Sequence, residues 1–220
     1  MKPASRYQLT IFDWDGTLMD STSVIAAALQ SACRDAGITV PTERDARFVI
    51  GLGAADTFRH VAPHVDAAGQ RLLSERYRHH FLANEHQAPL YDGVREMLAD
   101  LHGRGRRLAV ATGKARGGLE RALDATGLRS WFEATRCADE GFAKPHPDML
   151  LMLMDITGVE PRQVLMVGDT THDLELAANA GVDAVSVSYG AHDAGLLATR
   201  PALARISTVA ELHRWLNENG

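Results

Sequence analysis

The chain has 220 residues, 45% apolar and 23% charged, so it can bury a core without disulfide or metal staples and fits one domain, or a core with a small insertion. Its 23 Lys and Arg against 28 Asp and Glu leave a formal charge of −5, which offers no basic excess to nucleic acid or an anionic membrane. The longest purely apolar run, Met149 to Met154, is far short of the roughly 20 residues that a membrane span needs, and the polar start, Met1 to Tyr7, with widely spaced Cys33 and Cys137, predicts a cytoplasmic protein with free thiols.

In chain order, Leu9 to Phe12 reads as a short buried strand. Ser21 to Ala36 reads as a helix with Ser21 as its N-cap and Gly37 just past its end. Arg44 to Ile50, Ala55 to Val61 and Ala67 to Glu85 are three further helical patterns, and no good strand lies among them. His86 to Tyr91, carrying Pro89, reads as the return hinge. Alternation then begins: strand Leu108 to Thr112, helix Lys114 to Thr126, strand Ala134 to Ala138, helix Pro147 to Thr157, strand Gln163 to Val167, a helix ending at Gly181, strand Ala184 to Val187 and helix Val209 to Asn217. This predicts an α/β protein. A Rossmann-like parallel sheet core takes residues 1–20 and 89–220, and an inserted small all-helical cap domain takes residues 21–88.

Ligands of open parallel sheets bind beyond the carboxyl ends of the strands. Those ends run into Asp13-Trp14-Asp15-Gly16-Thr17, Thr112-Gly113-Lys114 and Gly168-Asp169-Thr170-Thr171-His172-Asp173. Four carboxylates from two distant segments therefore converge on one edge. Like charges at that density need a counter-charge. A hard divalent ion with oxygen ligands suits them, Mg²⁺ above all when phosphate completes its shell, and Lys144 is a candidate second cation. A carboxylate can also attack phosphorus to give an aspartyl-phosphate. Asp13 and Asp15, two apart in an extended chain, face the same side, so one can attack while the other protonates the leaving oxygen.

Asp13-Trp14-Asp15-Gly16-Thr17-Leu18 resembles the first motif of the haloacid dehalogenase superfamily. Thr112 after its strand, Lys144-Pro145, and Gly168 through Asp173 resemble the second, third and fourth motifs, in family order, and the helical insert resembles the cap found between the first two. The resemblance implies Asp13 as nucleophile and Asp15 as general acid and then base. It implies Thr112 with the Gly113 N–H as phosphate holders, and Lys144 as the balancing cation. It also implies Mg²⁺ held by Asp13, Asp169 and the Asp15 backbone carbonyl, with Asp173 supporting the metal shell or Lys144. Arg47, Gly51, Leu52, Gly53 and Arg59 are the cap residues that would reach substrate if the lid closes; Asp20 and Ser21 sit where core meets cap.

Asp15 discriminates within the superfamily: dehalogenases usually lack an acid there, and phosphonatases recruit a cap lysine, whereas residues 21–88 contain none. The expected activity is Mg²⁺-dependent hydrolysis of a small phosphate ester, with the phosphoglycolate phosphatase subgroup as the substrate guide, by a monomer or homodimer. A phosphomutase on the same core and a non-catalytic phosphate-binding protein are the alternatives. Thr112-Gly113-Lys114 is not a P-loop, since Leu108 stands where a glycine is required. Lys114 reads as a helix-start surface lysine, His60 and His64 as surface or packing residues, His172 as a non-ligand, and Met149 to Met154 as sheet packing.

Overall fold

The structure, a computed structural model, describes residues 6–219; the first five residues of the polar amino-terminal stretch and Gly220 lie outside the described residues. The chain enters the first strand, β1 (Leu9–Phe12), and then four helices, α1 (Thr22–Asp35), α2 (Glu43–Phe48), α3 (Ala54–Val61) and α4 (Ala67–Asn84). After them come α5 (Val94–Gly103), β2 (Arg107–Thr112), α6 (Arg116–Thr126), β3 (Ala134–Cys137), α7 (Asp148–Thr157), β4 (Val164–Gly168), α8 (Thr171–Ala180), β5 (Asp183–Val187), α9 (Ala194–Leu197), β6 (Ala204–Ile206) and α10 (Val209–Asn219). The strands form one parallel sheet in the order β3-β2-β1-β4-β5-β6.

Apolar side chains on both faces of the strands explain that sheet. Successive strand residues point to opposite faces. Phe12, Leu108, Val110, Leu165 and Val167 pack on one side with α5, α6 and α10. Leu9, Ile11, Ala109, Ala111, Val164 and Met166 pack on the other with α7 and α8. A sheet covered on both faces reads as continuous apolar runs, as these strands do. Met149, Leu150, Leu153 and Met154 join the second cluster, so the methionine-rich run is sheet packing. Three elements, α5, α9 and β6, are additions to the sequence reading. Val94, Met97, Leu98 and Leu101 give α5 its buried stripe, and β6, three residues long, is too short to show a period.

The helices α1 to α4 carry a third apolar cluster of their own, centred on Leu29, Cys33, Val49, Phe58 and Leu73. Two strands of chain join this block to the sheet, and they hydrogen-bond to each other: Asp20 N–H donates to the Pro89 carbonyl (2.8 Å) and Tyr91 N–H to the Leu18 carbonyl (3.0 Å), flanking an isolated Met19–Leu90 bridge. Among the described residues no helix is long and apolar enough to cross a membrane, and Cys33 and Cys137 are buried free thiols.

Leu73 on α4 is fully buried in this third cluster and belongs to neither sheet-side cluster. Leu73→Ala should therefore destabilise the helical block by about 2–5 kcal/mol. Denaturant unfolding gives the magnitude, and hydrogen exchange should localise the lost protection to α1, α3 and α4 rather than to the strands.

Candidate active site

The site forms where β1 and β4, neighbours at the centre of the sheet, both end. Asp13 N–H extends the pairing by donating to the Val167 carbonyl (2.9 Å), and Asp169 follows Gly168 at the tip of β4. This sets Asp13, Asp169 and Asp173 with carboxylate oxygens within 4.8 Å of one another, all buried. Lys144 is fully buried between two of them, its Nζ 2.6 Å from Asp173 Oδ1 and 2.8 Å from Asp13 Oδ1. The contact to Asp173 is an aligned hydrogen bond. The contact to Asp13 is an ion pair without that alignment, and both Asp13 oxygens are buried with no hydrogen-bond donor aimed at them.

The other two carboxylates are already committed. Asp173 Oδ2 accepts from the Thr170 N–H (3.0 Å) and hydroxyl (2.8 Å), while Thr170 Oγ1 accepts from the Asp173 N–H. That reciprocal capping box starts α8. Asp169 accepts from the Thr17 hydroxyl and the Ala191 N–H, each 2.7 Å away. Space around Asp169 is made by absent side chains. A Cβ on Gly16 would fall 2.1 Å, and one on Gly190 2.2 Å, from Asp169 Oδ2.

Burial dominates the charges here. It pushes the Asp13 carboxyl up to about 7; Lys144 opposes the rise, and Asp173 and Asp15 add to it. Burial, with Asp13 and Asp173 close by, also holds Asp169 well above the usual carboxylate range. Burial alone would pull the Lys144 ammonium down, but Asp13 and Asp173 outweigh it and the group is raised. The donor set is all oxygen and exceeds its one lysine in charge, and Asp13 meets no donor besides that lysine. It fits a hard divalent cation such as Mg²⁺. Asp13 and Asp169 are the side chains placed to hold one; Asp173 is occupied by Lys144 and Thr170.

The Asp15 side chain lies apart from this group. Its carboxylate accepts from the Ser21 hydroxyl (2.7 Å) and from Lys114 Nζ (2.9 and 3.0 Å). Two sequence expectations change as a result. Ser21 precedes α1, but its hydroxyl makes no cap to that helix; it serves Asp15 instead. Lys114 is not a solvated surface lysine: its side chain is 10% exposed, and its ammonium also lies 4.8 Å above the Phe81 ring.

Asp13 and Asp15 share a cavity of about 420 Å³ with Thr112, Gly113, Gly51 and Leu52. Gly51, at φ +92°, brings cap backbone against Gly113, where a Cβ would sit 2.5 Å from the Gly51 oxygen. Arg47 stands elsewhere: its guanidinium holds Glu43, Thr22 and Ser23 at 3.1, 3.1 and 3.2 Å, joining α2 to α1, and it does not line the cavity. Arg59 is exposed and pairs with Asp56, and His60 and His64 are exposed.

Sequence reading missed the contact that joins the two parts of the molecule here. The Phe48 carbonyl, at the end of α2, is 2.8 Å from His172 Nε2 and 3.0 Å from His192 Nε2. A carbonyl only accepts, so both rings donate. His192 Nδ1 accepts from the Thr171 N–H (3.0 Å), which fixes its neutral tautomer, and burial lowers the basicity of both histidines. The Phe48 ring stacks on His192 at 5.3 Å and 7°.

Metal binding requires ionised carboxylates. In the metal-free protein the folded state keeps the Asp13 proton up to about pH 7, whereas the unfolded chain releases it near 4. Stability from this group is therefore present at low pH and lost as pH rises from about 4 to about 7. The rise in Tm on adding a fixed concentration of Mg²⁺ should be larger at pH 8 than at pH 5.5. Asp13→Asn should flatten that dependence, as thermal denaturation at the two pH values would read.

A family model for haloacid dehalogenase-like hydrolases matches residues 10–187. The probable phosphatase IndB of Dickeya dadantii is 36% identical over 218 residues, covering 96% of this chain and 92% of that protein. A phosphoglycolate phosphatase of Agrobacterium fabrum is 30% identical, covering 88% and 85%. Among solved structures, a predicted phosphoglycolate phosphatase from Haemophilus somnus 129PT superposes with a TM-score of 0.87 at 25% identity, covering 96% and 98%. The chain belongs to the haloacid dehalogenase-like hydrolases, on the branch similar to phosphoglycolate phosphatases.

Proposed function

We propose that the protein is a Mg²⁺-dependent phosphatase that hydrolyses a small phosphate monoester through an aspartyl-phosphate. The observation that carries this reading is Asp13: a buried carboxylate ion-paired to a buried lysine, with no other donor on its oxygens, lining a cavity that Asp15 shares.

An Asp13 oxygen forms the new bond to phosphorus as the ester P–O bond breaks. Asp15, on the same cavity, gives a proton to the departing alkoxide and then takes one from the water that cleaves the aspartyl-phosphate. The Ser21 hydroxyl and Lys114 hold the Asp15 carboxylate in place for both transfers. Lys144 opposes the protonation of Asp13 that burial favours and balances charge on the transferred group, and Asp173 keeps Lys144 in position. Thr112 and the Gly113 N–H take phosphate oxygens at the end of β2. Asp13 and Asp169 would hold a divalent ion, which when bound would supply charge neutralisation on the phosphoryl group. Where the acceptor is water the product is free phosphate; a mutase would instead return an isomer.

Phosphate release from a panel of monoesters that includes phosphoglycolate, with and without Mg²⁺, tests the reading. Turnover should require the metal. Asp13→Asn should lower it by about 10³-fold or more, and Asp15→Asn by roughly 10²–10⁴-fold. Folded protein that releases phosphate from no ester, or an Asp13→Asn variant that keeps full activity, would overturn the proposal.

A further inference from the structure

The cavity does not end at the phosphate-holding residues. It continues into the helical block, where Ile25 and Leu29 of α1 and Phe58, Tyr77 and Phe81 of α3 and α4 form its walls. Phe58 and Tyr77 meet edge to face at 5.8 Å, and Tyr77 stacks with Phe81 at 5.9 Å, so one side is a continuous aromatic surface. The volume, about 420 Å³, falls in the range of sites that take ligands with a substantial apolar body.

Charge along these walls gives a second anionic group beside the phosphate no buried counter-charge. Cations on the lining are Lys114, Arg78 and Arg121. Lys114 is engaged by Asp15 and lies over Phe81. Arg121 is paired with Glu85 at 3.1 Å. Arg78 and Arg121 are both exposed to solvent. A carboxylate on a two-carbon alcohol would sit close to phosphorus, in the cavity that the Asp15 carboxylate lines, with no uncommitted buried cation on the lining to receive it; burying an unpaired charge there is unfavourable. A neutral ring would bury apolar surface against the aromatic wall. It could also meet the Tyr77 hydroxyl, which makes no hydrogen bond among the described residues.

We infer that the alcohol portion of the substrate is a neutral, ring-bearing group seated between Ile25, Leu29 and the Phe58–Tyr77–Phe81 wall, rather than a short carboxylate-bearing chain. This rests on the phosphatase reading given above, and it names the substrate class for that same site.

Benzyl phosphate and 2-phosphoglycolate are both esters of unactivated primary alcohols, so their ratio of kcat/KM reports how the alcohol is received rather than how readily it leaves. With Mg²⁺, benzyl phosphate should be preferred by roughly 10–100-fold, the value of burying one ring. Tyr77→Ala should reduce the preference about tenfold. Leu82→Glu, a change at an exposed position on the same lining, should reduce it in the same direction should Tyr77→Ala fail to fold. Equal use of the two esters overturns the inference. So does a preference for 2-phosphoglycolate, most directly one that Arg78→Ala abolishes. Both results leave the phosphatase reading standing. Turnover of neither ester would instead count against the phosphatase reading. Calorimetric binding of each ester to the Asp13→Asn protein then judges the chamber separately: tighter binding of benzyl phosphate supports it, and equal or weaker binding overturns it.

Discussion

A fully buried lysine between two fully buried carboxylates is the constraint on which the rest of the structure depends. Taking three charges out of water is unfavourable, and their attraction compensates only when the geometry is close and the remaining oxygens are satisfied. Lys144 meets that condition toward Asp173, whose second oxygen is also used, by Thr170. It meets it only in part toward Asp13, whose oxygens lack aligned donors. The unsatisfied end of the triad is therefore the end that faces the cavity. Stability and reactivity are divided between two neighbouring aspartates: Asp173 is held from every side, and Asp13 is left incomplete.

That division is built from ordinary backbone devices. Asp173 is an N-terminal capping residue of α8 as well as the lysine's partner, so the helix start and the charge network fix each other. Gly168 belongs to the same arrangement, since a Cβ there would lie 2.3 Å from the Asp173 carboxyl carbon. Gly16, at φ +86°, turns the chain away from Asp13 and leaves room for Asp169. Glycine supplies these close approaches without a side-chain clash, and the flanking β1 and β4 are buried throughout.

The parts legible in the sequence were those whose chemistry follows directly from a strand. Asp13, Thr112 and Asp169 each stand at the end of an apolar run, and a parallel sheet necessarily gathers such ends on one edge. What sequence could not show depends on partners distant along the chain. Lys114 looks like a helix-start lysine because its partner, Asp15, is 99 residues away. Arg47 looks like a substrate contact because its position in the insert is known and its ties to Thr22 and Ser23 are not. His172 and His192 converge on one carbonyl from opposite ends of a β-strand and its helix, a meeting that no local pattern encodes. The stripe of α5, by contrast, was present at helical spacing in Val94, Met97, Leu98 and Leu101, and was legible in principle.

Several contacts between helical block and sheet use the block's main chain, beside side-chain contacts such as Phe48 on His192, Phe81 under Lys114 and Glu85 with Arg121. Its linkers pair through backbone hydrogen bonds, Phe48 offers its carbonyl to two histidines of the sheet domain, and Gly51 offers backbone to Gly113. Main-chain groups are the same whatever the side chain, so these main-chain contacts do not depend on which residues line the inner wall of the block. Side chains such as Ile25, Tyr77 and Leu82 can then vary without disturbing the buried charges of Asp13, Lys144 and Asp173. On the proposed reading, a floor fixed by the lysine triad would serve what every substrate of this site has in common, and the side chains of the roof what distinguishes one from another.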